Sequence, residues 1–170
     1  MYQPKSIYTE TALNSILENF SKGKKLSSIP EELKVKAACF VTLHKISGEL
    51  RGCIGTLEPF RENLYEEIWG NAKSAAFSDP RFSKLKEAEL DEIEISVDVL
   101  EKAERIEGKE KLDPKIYGVI VSSGGRRGVL LPDIEGVDSV EEQLSIARMK
   151  GGIGPGEKAV IYRFKVKRYH

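Results

Sequence analysis

The chain has 170 residues, enough for one domain with a real core or for two small lobes. Its 27 Lys and Arg balance 27 Asp and Glu, which removes the general electrostatic case for nucleic-acid binding and leaves only a local basic patch to argue for it. With 40% apolar and 32% charged residues it reads as a folded domain, and no apolar run approaches the ~20 residues of a membrane span.

Residues 8–20 are predicted as the first helix. Leu13, Ile16, Leu17 and Phe20 form an i, i+3, i+4, i+7 stripe, with Thr9 or Thr11 placed to cap it and Gly23 near its end. After a loop broken by Pro30, residues 35–45 read as a mostly buried strand. Ser47-Gly48 is a hairpin turn and residues 49–54 return, so a hairpin occupies 37–54. Pro59 precedes a helix over 61–77. Gly70, Ala72, Ser74, Ala75 and Ala76 keep one face of it small enough for another backbone to approach, and Asp79-Pro80 ends it.

Residues 93–100 alternate Ile93, Ile95, Val97, Val99 with Glu94, Ser96, Asp98, a strand with one buried and one wet face. Residues 101–113 form a charged connector. Residues 117–122 and 129–131 make a second hairpin, tipped by Ser123 to Gly128, whose Arg126 and Arg127 are read as solvated. A helix over 137–150 and a last strand over 160–166 complete the chain. The glycines from Gly151 to Gly156 follow a helix instead of opening one, so capping and a turn describe them better than a phosphate loop. Hairpins with helices inserted between them predict an α+β fold with an antiparallel-rich sheet and packed helices.

Chemistry concentrates in Leu50-Arg51-Gly52-Cys53-Ile54-Gly55-Thr56. On a regular strand Arg51 and Cys53 share a face, so the guanidinium can reach the sulfur and favour the thiolate. Gly52 and Gly55 admit a ligand or another backbone, and the amides of Gly55 and Thr56, if turned outward, can hold an anion. The blander reading is a buried thiol and close packing. A cysteine nucleophile also needs a base. A two-residue turn at Ser47-Gly48 pairs 46 with 49 and sets His44 opposite Arg51, one diagonal from Cys53. Cys39 and Cys53 are too few for a disulfide framework, and no Cys, His and carboxylate cluster has ligand spacing, so neither a metal nor another cofactor is expected. The opening residues, Met1 to Lys5, lack a signal-peptide apolar segment, and a cytoplasmic location is expected.

The same stretch resembles the signature of the AMME chromosomal region gene one protein family. The resemblance continues through Phe40-Val41-Thr42-Leu43, Ala75 to Phe82, Glu89-Leu90 with Ile93 to Val97, Gly118 to Val121, and Gly128 to Pro132, in the right order over residues 37–166. It implies a two-lobed α+β architecture of unequal lobes, with the signature lining a cleft between them. It implies no established activity. In prokaryotes such proteins are similar to one component of a three-part set with a Memo-like protein and a radical S-adenosylmethionine enzyme. Where the family commonly carries Cys-x-Lys-Ala-Gly-Leu, this chain has Ala147 to Ile153 with Lys150 kept and no cysteine, which argues against a two-thiol mechanism.

Three functions follow as expectations. The first is a binding or accessory domain, in which a small anionic ligand or a partner chain meets Arg51, Gly52, Ile54, Gly55 and Thr56, with Asp79 and Arg81 nearby and Lys150 at the far wall. The second is a thiol-dependent enzyme with Cys53 as nucleophile, Arg51 lowering its pKa and His44 as base. The third, nucleic-acid binding, is weakened by the neutral charge. A homo-oligomer is compatible with all three.

Overall fold

Two four-stranded sheets, the first packed by two helices and the second by one, organise the computed structural model, which describes residues 2–170. In chain order the elements are α1 (Ile7–Glu18), β1 (Cys39–Lys45), β2 (Leu50–Gly55), α2 (Leu64–Phe77), β3 (Ile93–Leu100), β4 (Glu104–Ile106), β5 (Gly118–Ser123), β6 (Arg126–Leu130), α3 (Val140–Lys150), β7 (Val160–Phe164) and β8 (Val166–Tyr169). Short 3-10 turns lie at Glu31–Leu33, Glu87–Glu89 and Lys109–Lys111. The fold is α+β, and the chain divides into two compact units, one running to Val99 and taking back Lys167–His170, the other spanning Leu100–Val166.

In the first unit the sheet order is β2-β1-β3-β8. Cys39, Val41 and Leu43 of β1 and Ile93, Ile95 and Val97 of β3 point to one face and are buried under Ala12, Leu13 and Ile16 of α1 and Leu64, Ile68 and Ala72 of α2. The two helices are tied by the buried Ser15 hydroxyl, which donates to the Trp69 carbonyl at 2.6 Å. In the second unit the order is β4-β7-β5-β6. Val119, Val121, Leu130 and Ile161 pack with Ala147 of α3. Here the glycine loop is held through its carbonyls. Arg148 donates to Gly154 and Glu157, and Arg126 to Gly152, which leaves a cap and a turn and no phosphate cradle.

Several boundaries differ from the sequence expectation. Strand β1 begins at Cys39, because residues 35–38 run outside the sheet and leave Val35 half exposed. Helix α2 begins at Leu64, since Asn63 caps it by accepting from the Glu66 amide. Helix α3 begins at Val140 behind a capping box of Ser139 and Glu142. The connector contains strand β4, three residues long and too charged to stand out. The last strand is two, since β7 joins one sheet and β8 the other. The wet face of β3 is wet only at Glu94, because Ser96 and Asp98 are buried, and Asp98 is gripped through both oxygens by Arg168 at 2.7 and 3.0 Å.

One close approach sets the distance between β2 and α2. A Cβ on Gly52 would stand 2.2 Å from the Ala75 carbonyl oxygen, so the strand meets the small face of the helix with no side chain between. Gly52→Ala is expected to cost about 1–3 kcal/mol by overpacking. Urea unfolding checks this against Gly156→Ala, where the added methyl meets open space and a change under about 0.5 kcal/mol is expected. Equal effects of the two changes would show that the close approach is not the constraint.

Candidate functional site

Strand β2 is an edge strand, and a bulge fixes what each of its residues faces. Leu43 pairs with Gly52 but His44 with Leu50, so Arg51 is the extra residue. The bulge corrects two expectations. Arg51 does not lie beside Cys53 but turns to the 3-10 turn at Glu87–Glu89, where Nε and Nη2 donate to Glu89 at 2.7 and 3.1 Å. His44 faces Leu50, not Arg51, and none of the hydrogen bonds of Cys53 involves it. The residue opposite Cys53 is Thr42, whose hydroxyl donates to Sγ at 3.3 Å.

The peptide group of Cys53 points away from β1, where an edge strand is ordinarily open. Here it is closed by two side chains from the turn after α2. The Asp79 carboxylate accepts the Cys53 amide at 2.9 Å, and Arg81 Nη2 donates to the Cys53 carbonyl at 3.0 Å. The same two residues bind each other. Arg81 Nε donates to Asp79 Oδ1 at 3.0 Å and Nη2 to Oδ2 at 2.8 Å, and the Arg81 amide adds a bond to Oδ1 at 3.1 Å. Asp79 is buried and Arg81 is not, its side chain remaining 54% exposed. The carboxylate and guanidinium therefore imitate the donor and acceptor that a neighbouring strand would offer.

This arrangement decides the charge states. The Arg81 hydrogen bonds, assisted by the two backbone amides and opposed by burial, hold the Asp79 carboxyl well below the usual carboxylate range. The Asp79 bonds in turn raise Arg81. Glu89 is lowered chiefly by its bond to Arg51. The Cys53 thiol is raised by burial, against the smaller opposing effects of the Thr42 bond and the Arg81 charge. Arg51 is not among the groups that tune it. The buried Cys39 is pushed up to about 12, mainly by desolvation, with Asn71 donating to its carbonyl at 2.9 Å.

The remaining predicted site residues serve several ends. Gly52 meets α2, while Gly55 makes room for the Phe40 ring across the hairpin, since a Cβ there would fall 2.2 Å from the ring. Ile54 packs against the core. The Thr56 amide bonds the Cys39 carbonyl at 3.1 Å and its hydroxyl bonds Glu67 at 2.7 Å, so Thr56 offers no outward amide to an anion. Lys150 ends α3 in the second unit, exposed. Among the described residues no group of three or more His, Cys, Asp or Glu side chains is arranged to hold a metal ion. Sequence reasoning missed Thr42, Glu89 and Glu67 as site partners. The register counted from the two-residue turn already sets Thr42 opposite Cys53 and could have found it, but nothing local marks Glu89, which lies 38 residues from Arg51.

A raised thiol pKa means a protonated sulfur at neutral pH, with reactivity gained only as pH climbs past the ordinary thiol value. Alkylation of Cys53 by iodoacetamide, followed by mass spectrometry, is expected to be slow at pH 7 and to reach half its limiting rate above about pH 8.5, the unperturbed value. A half-maximal rate below pH 7 would contradict the geometry.

The AMMECR1 family model matches residues 9–169. A Thermotoga maritima protein is 53% identical over 160 residues, covering 91% of this chain and 92% of that protein. A Clostridium acetobutylicum protein is 44% identical over 98% of this chain, which spans only 36% of that longer relative. The crystal structure of an uncharacterised Pyrococcus horikoshii protein superposes with a TM-score of 0.85 at 32% identity, covering 95% of this chain and 88% of that one. A chain that matches a family model over nearly its whole length, and shares half its residues with a relative of the same size, belongs to the AMMECR1 family.

Proposed function

We propose that this AMMECR1 chain is a binding domain that receives an anionic group, a carboxylate or a phosphate, at Arg81 beside the Cys53 thiol. The observation that carries the reading is the state of Arg81. Its guanidinium is held by Asp79 and by the Cys53 carbonyl, yet its side chain is 54% exposed and Nη1 makes none of those bonds. A cation held in place by a buried partner loses little freedom when a ligand arrives, and its free N–H edge suits a charge-assisted bond. The Thr42 hydroxyl and the Cys53 thiol, protonated at neutral pH, add polar atoms beside it, and His44, the base expected for a nucleophilic thiol, is not among its hydrogen-bond partners. Arg51 has no place in this version of the site. Its guanidinium is spent on Glu89. The family resemblance supplies the wider setting of the proposal, an accessory role beside a Memo-like protein and a radical S-adenosylmethionine enzyme.

The test uses inorganic phosphate and acetate as probes, titrated at low ionic strength while the Cys53 amide and the Arg81 Nε–H are followed by nuclear magnetic resonance. Saturable shifts at both positions are expected for at least one probe. Arg81→Gln is expected to weaken that binding about tenfold or more, the loss of roughly 1.4 kcal/mol that a charge-assisted bond supplies. Non-saturable shifts, or equal affinity in Arg81→Gln, would overturn the proposal.

A further inference from the structure

The face of the first sheet that turns away from α1 and α2 carries a polar row. Cys53 of β2 stands opposite Thr42 of β1, and Thr42 opposite Ser96 of β3. Directly paired residues share a face, so a thiol and two hydroxyls line up across three strands, about 10 Å from end to end. Asp98 follows in the next row, opposite Phe40. Thr42 and Ser96 are each 8% exposed, and Asp98 2%. Ser96 is the member of the row that lacks a partner. Its hydroxyl makes no hydrogen bond among the described residues. It is not sealed off either. The side-chain atoms that are both fully occluded and unpaired among those residues are Arg51 Nη1 and Gln143 Oε1, so the Ser96 oxygen opens onto the sheet face. A polar side chain nine-tenths buried and unpaired is uncommon, because burial without a hydrogen bond is unfavourable.

The neighbours of Ser96 decide what it can receive. The Thr42 proton is committed to Cys53 Sγ, which leaves the Thr42 oxygen to accept. Asp98 accepts from Arg168 through both oxygens and keeps a lone pair on each. Acceptors therefore outnumber donors along the row, and the group that completes it brings O–H or N–H. Arg168 cancels the Asp98 charge, so an ammonium gains no net attraction there, while neutral hydroxyls satisfy the same lone pairs. We infer that the anion received at Arg81 is one end of a polyhydroxylated molecule, a sugar phosphate or sugar acid, whose hydroxyls lie along Thr42 and Ser96. The inference rests on the anion reading above and names what the anion is attached to. Arg81 holds the Cys53 carbonyl at the edge end of the row, and Ser96 stands at the other end. That span exceeds what phosphate or acetate can bridge, and it admits a sugar with a hydrogen bond at each end.

The test compares affinities by titration calorimetry for two pairs of probes, glucose 6-phosphate against hexyl phosphate and gluconate against hexanoate. In at least one pair the hydroxylated member should bind at least about tenfold more tightly. Ser96→Ala should weaken that member about fivefold or more, the loss of one hydrogen bond, and leave its apolar counterpart unchanged. Arg81→Gln should weaken both members. Because the Ser96 hydroxyl has no partner in the fold, Ser96→Ala is expected to unfold at no lower a temperature than the wild-type chain. Saturable anion binding without a gain for the hydroxylated member, a gain that Ser96→Ala leaves intact, or a lowered unfolding temperature in Ser96→Ala would overturn this inference and leave the anion reading standing. Binding that Arg81→Gln leaves intact, or no saturable binding of any probe, would overturn both.

Discussion

An edge strand with an exposed peptide group is the problem that the first unit is built to solve. The peptide of Cys53 faces away from its sheet, and the buried Asp79 carboxylate satisfies it together with Arg81. Unpaired edge groups invite pairing with other chains, so closing them with side chains protects the sheet. The closure depends on features upstream and downstream. Helix α2 must stop at Phe77 for Asp79 to turn inward, and Pro80 prevents its continuation. The helix must also lie against β2, which Gly52 and Ala75 permit. A larger residue at either position would move the carboxylate away from the amide it accepts.

The second unit repeats the device. A Cβ on Gly128 of β6 would fall 1.7 Å from the Ala147 carbonyl oxygen of α3, as one on Gly52 would fall 2.2 Å from that of Ala75. In both units the returning strand of a hairpin carries a glycine where it crosses an alanine of the following helix. No sequence repeat announces this, because a backbone-to-backbone contact constrains only the two small residues that meet. The functional elements are not duplicated. The second unit has no counterpart of the Asp79 and Arg81 clasp, and its arginines Arg126 and Arg148 are occupied with the carbonyls of the glycine loop.

Helices, hairpins and the α+β class were legible because periodicity and turn chemistry are local signals. The small face of α2 was legible too, and it meets a glycine as that pattern implies. The bulge at Arg51 was not. A two-residue turn at Ser47-Gly48 counts correctly to Thr42 opposite Cys53, but the one extra residue sets His44 opposite Leu50 instead of Arg51, and Arg51 turns to Glu89. The partners of the signature, Glu89 for Arg51 and Glu67 for Thr56, come from other elements, and only the folded chain brings them in. Asp79 and Arg81 could be named from the sequence, but not that they close the strand, because that requires knowing that β2 has no neighbour on one side.

The central claim is that Asp79, with Arg81, stands in for a missing strand beside Cys53. Amide hydrogen exchange measures it most directly, comparing the Cys53 amide with those of Val41 and Leu43 in the interior strand β1. In the wild-type chain the Cys53 amide should be protected although it faces away from its sheet. In Asp79→Ala its protection should fall at least about tenfold further than that of Val41 and Leu43, since local opening separates from global destabilisation. Exchange at Cys53 that is unprotected in the wild type, or that changes only in step with the interior strand, would contradict the account.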